Sequence, residues 1–127
     1  MTGILVVTTE SVPAPLGHYR QAVRAGGFIH VSGQLPITPG TTPGNQSAPF
    51  EAQARLVIQN FLAIVAAGGA KTQDVVKVTA YIVGSANWPA FNKAFTEAFG
   101  DHKPARTTVG VAQLPRGSKV EIDLVAL

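Results

Sequence analysis

Four polar residues near the C-terminus have side chains that could bind and hydrolyse a small carboxylic acid: Arg106, Thr108, Glu121 and Asp123. A guanidinium grips a carboxylate through two parallel N–H bonds, and a nearby Glu can accept a proton from an attacking water. The alternative is that Arg106 and Glu121 form an ordinary cross-strand ion pair with no role in chemistry. Both interpretations place the two side chains on one face of a sheet.

The two segments that carry these residues, 106–112 and 119–125, have strand composition, and residues 114–118 between them contain a Pro and a Gly suited to a short turn. We therefore expect a hairpin in which Gly110 pairs with Glu121 and Thr108 pairs with Asp123. Because strand side chains alternate between faces, that register places the four polar residues together and turns Val109 and Val111 towards the core.

Other kinds of site have little support. The three histidines, His18, His30 and His102, are far apart in the sequence, and the chain has no Cys, so we expect no metal site. The common nucleotide-binding, zinc-protease and serine-hydrolase motifs are absent, and no cofactor is predicted.

The net charge is +3, but the basic residues are scattered without a run or a helical stripe, which argues against nucleic-acid binding. No apolar run approaches the 18 residues of a membrane span, and we expect a cytoplasmic protein without a membrane partner.

The rest of the chain predicts an α+β fold in a single domain, 1–127. Two amphipathic helices are expected, one beginning at Pro49 and stopped by Gly68 and Gly69, the other capped by Asn87 and ended by Gly100. A glycine pair, Gly26 and Gly27, predicts a two-residue hairpin turn. Six segments have strand character: residues 4–8, 19–25, 28–32, 74–83, 106–112 and 119–125.

Two helices can cover only one face of a sheet of about six mostly antiparallel strands. Only 13% of the residues are charged and 46% are hydrophobic, which indicates surface buried between subunits. The other face of the sheet is therefore expected to meet further copies of the chain, and we predict a homotrimer.

Several stretches along nearly the whole chain resemble, in order, the motifs of the RidA (YjgF-like) family. They are APLGHYRQAV at 14–23, VSGQLP at 31–36, DVVKVT at 74–79, KPAR at 103–106, VAQLP at 111–115 and VEI at 120–122. The resemblance implies a chorismate-mutase-like α+β fold and trimers with clefts between subunits that bind small carboxylates. It also implies a cofactor-independent hydrolase that converts reactive 2-imino or enamino acids to 2-oxo acids and ammonia.

The same resemblance implies roles for individual residues. Arg106 corresponds to the carboxylate anchor and Glu121 to the water-activating base, while Tyr19 is either a participant in the reaction or an interface ring. Ser32, Gly33 and Thr108 correspond to substrate-binding positions, although Ser32 also suits a purely structural hydrogen bond. The chain departs from the family pattern at three positions, where substrate range could change: His18, Gly110 and Gln113.

Two other functions compete with the deaminase. The first is a non-catalytic trimer that binds a small carboxylate through Arg106 as a sensor or regulator, because fold similarity does not determine function. The second is a ribonuclease, an activity attributed to some relatives of the family, and the absence of a basic stripe or a His pair ranks it last.

Overall fold

The strands form one six-stranded mixed sheet in the computed structural model, which describes residues 3–40 and 47–127. The spatial order is β1-β2-β3-β6-β4-β5, and every neighbouring pair is antiparallel except β4 and β5, which are parallel. The mostly antiparallel α+β sheet predicted from the sequence is confirmed. The bounds are β1 Leu5–Val7, β2 Ala22–Ala25, β3 Phe28–Gln34, β4 Val75–Val83, β5 Ala105–Val111 and β6 Val120–Ala126.

The glycine pair makes the predicted turn between β2 and β3. Ala25 pairs with Phe28, and Gly26 and Gly27 have φ angles of 59° and 83°. Two consecutive residues at positive φ match the twist of the flanking strands in a tight hairpin. β2 begins at Ala22, later than expected from the sequence. Residues 41–46, between β3 and the first helix, lie outside the described residues.

Both helices, α1 Phe50–Ala67 and α2 Trp88–Phe99, pack on the same face of the sheet. The predicted apolar side of α1 is buried, and it meets the alternate residues of β6, such as Ile122 and Leu124. Gln53 of α1 accepts a hydrogen bond from the Lys119 amide at 3.0 Å and so fixes the start of β6. The core lies between the helices and this face, and the opposite face of the sheet is uncovered.

Asn87 does not cap α2 as predicted. Its side-chain amide instead donates a hydrogen bond of 2.8 Å to the Val83 carbonyl, and no side chain caps the helix. The reason is the single 3-10 turn at Ser85–Asn87, which leads directly into α2 and points the amide back towards the end of β4. Within residues 3–40 and 47–127, no helix combines the length and the apolar character needed to cross a membrane.

The predicted hairpin between β5 and β6 is wrong, because β4 lies between these two strands. Glu121 pairs with Tyr81 rather than Gly110, and Asp123 pairs with Thr79 rather than Thr108. β4 and β5 are joined through α2, and strands joined by a helical crossover pair in parallel. The Pro and Gly at Pro115–Gly117 form a 3-10 turn within a connection that carries the chain past β4.

Candidate active site

Glu121 lies on the uncovered face of the sheet in close contact with β3. A Cβ atom added to Gly33 would overlap the Glu121 Oε2, so only glycine at this position lets the carboxylate approach. Glu121 is partly buried, and this burial is the main reason that its pKa lies above the usual range. The charge of Asp123 raises the pKa further. A carboxylate with a raised pKa is a stronger proton acceptor once it is ionised.

A bulge in β3 brings Gly33 to this position. Val31 pairs with Leu124 and Gln34 pairs with Ile122, so three steps along β3 match two along β6. Ser32, within the bulge, donates from its hydroxyl to the Arg20 carbonyl at 2.6 Å and from its amide to the Gln21 carbonyl at 2.9 Å. The Ser32 hydroxyl therefore makes a structural hydrogen bond, which was the alternative to a role in substrate binding.

An open cleft of about 650 Å³ surrounds Glu121. Its polar lining consists of Tyr19, Ser32, Arg116, Glu121 and Asp123, and Leu16, Leu35 and Pro115 supply apolar walls. Tyr19 is 51% exposed, which leaves its ring free to meet a ligand or another chain. Four of the predicted site residues thus lie together: Tyr19, Ser32, Gly33 and Glu121.

The loop that carries Tyr19 is fixed by a buried side chain that the sequence did not single out. Gln21 donates to the carbonyls of Thr9 and Pro13, at 3.1 and 3.0 Å, and accepts from the Thr9 amide at 2.8 Å. The sequence gives no signal for this role, because a buried Gln and an exposed Gln between a loop and a strand cannot be distinguished by residue type. Arg116 was also missed; it is the one non-glycine residue at positive φ in the described chain.

Arg106 lies on the other face of the sheet, which corrects the prediction that it shares a face with Glu121. β5 pairs with β4 so that Arg106 and Thr108 lie beside the buried residues Val78 and Ala80. By the same alternation, Val109 is 37% exposed on the uncovered face instead of packing in the core. The prediction failed because it derived the face of β5 from the wrong neighbouring strand.

The Arg106 guanidinium is held against α2. It lies 4.9 Å from the centre of the Phe95 ring and 5.4 Å from that of Phe91, and it donates to the Asn92 Oδ1 at 3.2 Å. Stacking on aromatic faces suits the planar guanidinium and leaves the rest of its N–H groups available. Arg106 is nevertheless exposed, and it lines a cleft of about 320 Å³ with Asn92, Lys103 and the α2 aromatic residues.

The three departures from the family pattern differ in their surroundings. Gly110 is on the helix side of β5, where an added Cβ would lie 3.5 Å from the Trp88 ring. His18 and Gln113 are exposed.

The predicted catalytic residues therefore form two groups in one chain. Arg106 and Thr108 are on β5, two strands away from Glu121 on β6, and they point to the opposite face. Neighbouring strands lie about 4.8 Å apart, so roughly 10 Å and the thickness of the sheet separate the groups. We name them the Arg106 half-site (Arg106, Thr108 and Asn92) and the Glu121 half-site (Glu121, Tyr19, Ser32 and Gly33).

Neither half-site resembles a metal centre. Across residues 3–40 and 47–127, no group of three or more His, Asp or Glu side chains is arranged to hold a metal ion. The two half-sites offer carboxylate binding by a guanidinium and proton transfer by a carboxylate.

Comparisons with known proteins agree with this fold. Residues 9–127 match the model of the family described as endoribonuclease L-PSP. The 2-iminobutanoate/2-iminopropanoate deaminase of Escherichia coli K12 is 39% identical over 124 residues, covering 95% of each chain.

Two solved structures from E. coli are also similar. The yjgF gene product has a TM-score of 0.89 at 38% identity, with 96% of this chain and 97% of that one covered. TdcF with bound serine has a TM-score of 0.90 at 34% identity, covering 96% and 97%. With its ordered motifs, its sheet and these matches, the chain belongs to the endoribonuclease L-PSP family, which is the RidA (YjgF-like) family.

Proposed function

We propose that this protein is a cofactor-independent imine deaminase that hydrolyses 2-iminobutanoate, 2-iminopropanoate or related 2-imino acids to 2-oxo acids and ammonia. The observation that carries the proposal is the position of Glu121, whose partly buried carboxylate contacts Gly33 in an open cleft and has a raised pKa. Relatives named as deaminases at 38–39% identity support the same activity.

The active site in this proposal lies between two copies of the chain. Neither cleft of one chain combines Arg106 with Glu121: the guanidinium beside Glu121 is that of Arg116, and Arg106 lines the separate cleft beside α2. The uncovered sheet face exposes apolar side chains, with Val6 at 51%, Phe28 at 38% and Val109 at 37%. Burying this face against other copies, as in a homotrimer, would bring complementary half-sites together.

The reaction then follows from the two half-sites. Arg106 of one copy binds the substrate carboxylate and holds the imine carbon in the cleft of the next copy. Water adds to the carbon of the protonated imine as the Glu121 carboxylate accepts one proton of the water, which gives a neutral carbinolamine. Glu121 then returns this proton to the amino nitrogen, the C–N bond breaks, and the hydroxyl proton is lost as the carbonyl forms and leaves with ammonia as ammonium.

A Glu121→Gln substitution tests this function. The amide keeps the size of the side chain but accepts no proton, so imine hydrolysis should fall by roughly 10²–10⁴-fold, while binding of 2-oxobutanoate stays nearly unchanged. Hydrolysis is measured as oxo-acid release from freshly generated imine, against a blank without protein, and binding is measured by calorimetry. Glu51→Gln, on an exposed residue of α1, is the matched control and should hydrolyse at the parent rate. Equal rates for Glu121→Gln and the parent would reject Glu121 as the base.

A second candidate function is binding of a small carboxylate without turnover. It is favoured by the serine bound in the structure of the E. coli relative TdcF. The same experiment separates the two functions. A parent protein that binds oxo acid but never exceeds the blank, over a range of imines, would be a binding protein.

A further inference from the structure

Asp123 is the second carboxylate of the Glu121 cleft, and the reaction described above does not use it. It lies two residues after Glu121 on β6, so both side chains are on the uncovered face, roughly 7 Å apart along the strand. Two carboxylates in one cleft repel each other, so Asp123 needs a contact that holds it in place beside Glu121.

That support comes from β4. Tyr81 pairs directly with Glu121 across the sheet, and its hydroxyl reaches diagonally to donate to the Asp123 Oδ2 at 3.0 Å. Diagonal contacts of this kind are within the reach of aromatic side chains on neighbouring antiparallel strands. The hydrogen bond fixes the position of one Asp123 oxygen.

We propose that Asp123, anchored by the Tyr81 hydroxyl, is a positioning residue that keeps a negative charge beside Glu121 and so makes Glu121 a stronger base for water. The inference rests on the proposed function, in which Glu121 activates water. It adds one residue, Asp123, whose charge beside Glu121 determines the pH at which the base becomes available, while Tyr81 fixes only the position of Asp123.

The direction of the pKa shifts agrees with this geometry. The pKa of Tyr81 is raised above 10.0, chiefly by its hydrogen bond to Asp123, so the hydroxyl stays protonated as a donor at neutral pH. The pKa of Glu121 is raised first by burial and then by the charge of Asp123. Removal of that charge should therefore lower the pKa of Glu121.

The other charged or titratable groups near Glu121 do not supply this negative charge, and Lys119, two residues before Glu121, is exposed and carries the opposite charge. On β4, the Lys77 Nζ donates to the Thr107 Oγ1 at 2.7 Å and is turned towards β5. On β3, His30 pairs with Val125, further along the sheet. Tyr19 and Arg116 line the cleft, and the charge of Arg116 acts in the opposite direction to that of Asp123. In the assembly, Arg106 of a second copy would also oppose it.

The test is a direct titration of the Glu121 carboxyl carbon by NMR in the ligand-free protein, with Glu121→Gln used to assign the signal. Asp123→Asn keeps an oxygen acceptor for Tyr81 but removes the charge, and it should lower the midpoint by at least about 0.5 pH unit, the shift expected for a unit charge about 7 Å away when the interaction is screened as in bulk water. Glu51→Gln, the matched removal of a distant negative charge, should leave the midpoint unchanged. Tyr81→Phe keeps the Asp123 charge and should not lower the midpoint.

The pH dependence of imine hydrolysis is the second readout. Since Glu121 must be ionised to accept a proton, the acid limb of kcat/KM should move to lower pH in Asp123→Asn by the same amount as the midpoint. A Glu121 midpoint that is unchanged in Asp123→Asn overturns the inference, as does a midpoint lowered equally by Tyr81→Phe. A midpoint that falls in Asp123→Asn without a matching change in the acid limb would contradict the proposed function, as would the absence of hydrolysis. In either case, a lowered midpoint still shows that the charge of Asp123 acts on Glu121. Asp123→Ser gives the same comparison if the Asn variant does not fold.

Discussion

Arg106 is the residue whose type was most informative and whose location was least predictable. Its place in the KPAR motif indicated a carboxylate anchor, and the exposed guanidinium stacked on Phe91 and Phe95 is consistent with a group held ready for a ligand. The face of the sheet on which Arg106 lies could not be derived from alternation alone. Alternation shows which residues of one strand share a face, but which face that is depends on the strand beside it.

Arg106→Lys should lower kcat/KM roughly 10–100-fold, because an ammonium loses one charge-assisted hydrogen bond of about 1.5–3 kcal/mol to the carboxylate and cannot stack on both rings. The charge is kept and the side chain is exposed, so the fold should survive, as checked by circular dichroism. Arg55→Lys is the matched control, since Arg55 is exposed on α1 and pairs with Glu97 at 3.7 Å. An Arg106→Lys variant as active as the parent would show that Arg106 is not the anchor.

The elements that local signals specify were predicted well. Gly26 and Gly27 define the β2–β3 turn, and the 3.6-residue spacing of apolar side chains defines α1 and α2. The predicted β5–β6 hairpin was wrong, because a turn signal lies within a few residues of sequence whereas the pairing of two strands depends on the rest of the chain. Insertion of β4 between the strands depends on the crossover through α2, which no short motif records.

The bulge in β3 is the element that positions the base, and Gly33→Ala tests it. The added methyl group would displace the flexible end of Glu121 rather than the backbone, so hydrolysis should fall at least tenfold while the free energy of unfolding falls by only about 1 kcal/mol. Rates and thermal unfolding are compared with Gly110→Ala, where the new methyl group makes only ordinary contact with Trp88. Unaltered hydrolysis in Gly33→Ala would mean that the contact with Glu121 is not required.

At the scale of the whole molecule, the sheet separates the two half-sites and leaves one face uncovered. The sequence predicted this imbalance from two helices and low charge, and the fold has both helices on one face. What the sequence could not predict is that Arg106 and Glu121 of one chain point away from each other. A chain of this fold can therefore complete the proposed site only by assembly, at about three times the 13.2 kDa chain mass if it is a trimer.

The most direct test combines two impaired variants in one oligomer. Arg106→Lys and Glu121→Gln chains are co-expressed with different tags, and the doubly tagged oligomers are purified. In a trimer, every such oligomer has one interface where an intact Arg106 meets an intact Glu121, so hydrolysis should return to about a third of the parent rate. Each variant alone, and mixtures of the separately purified variants, should stay at or below about a tenth of the parent rate. Doubly tagged trimers that remain as inactive as the single variants would contradict a site shared between copies.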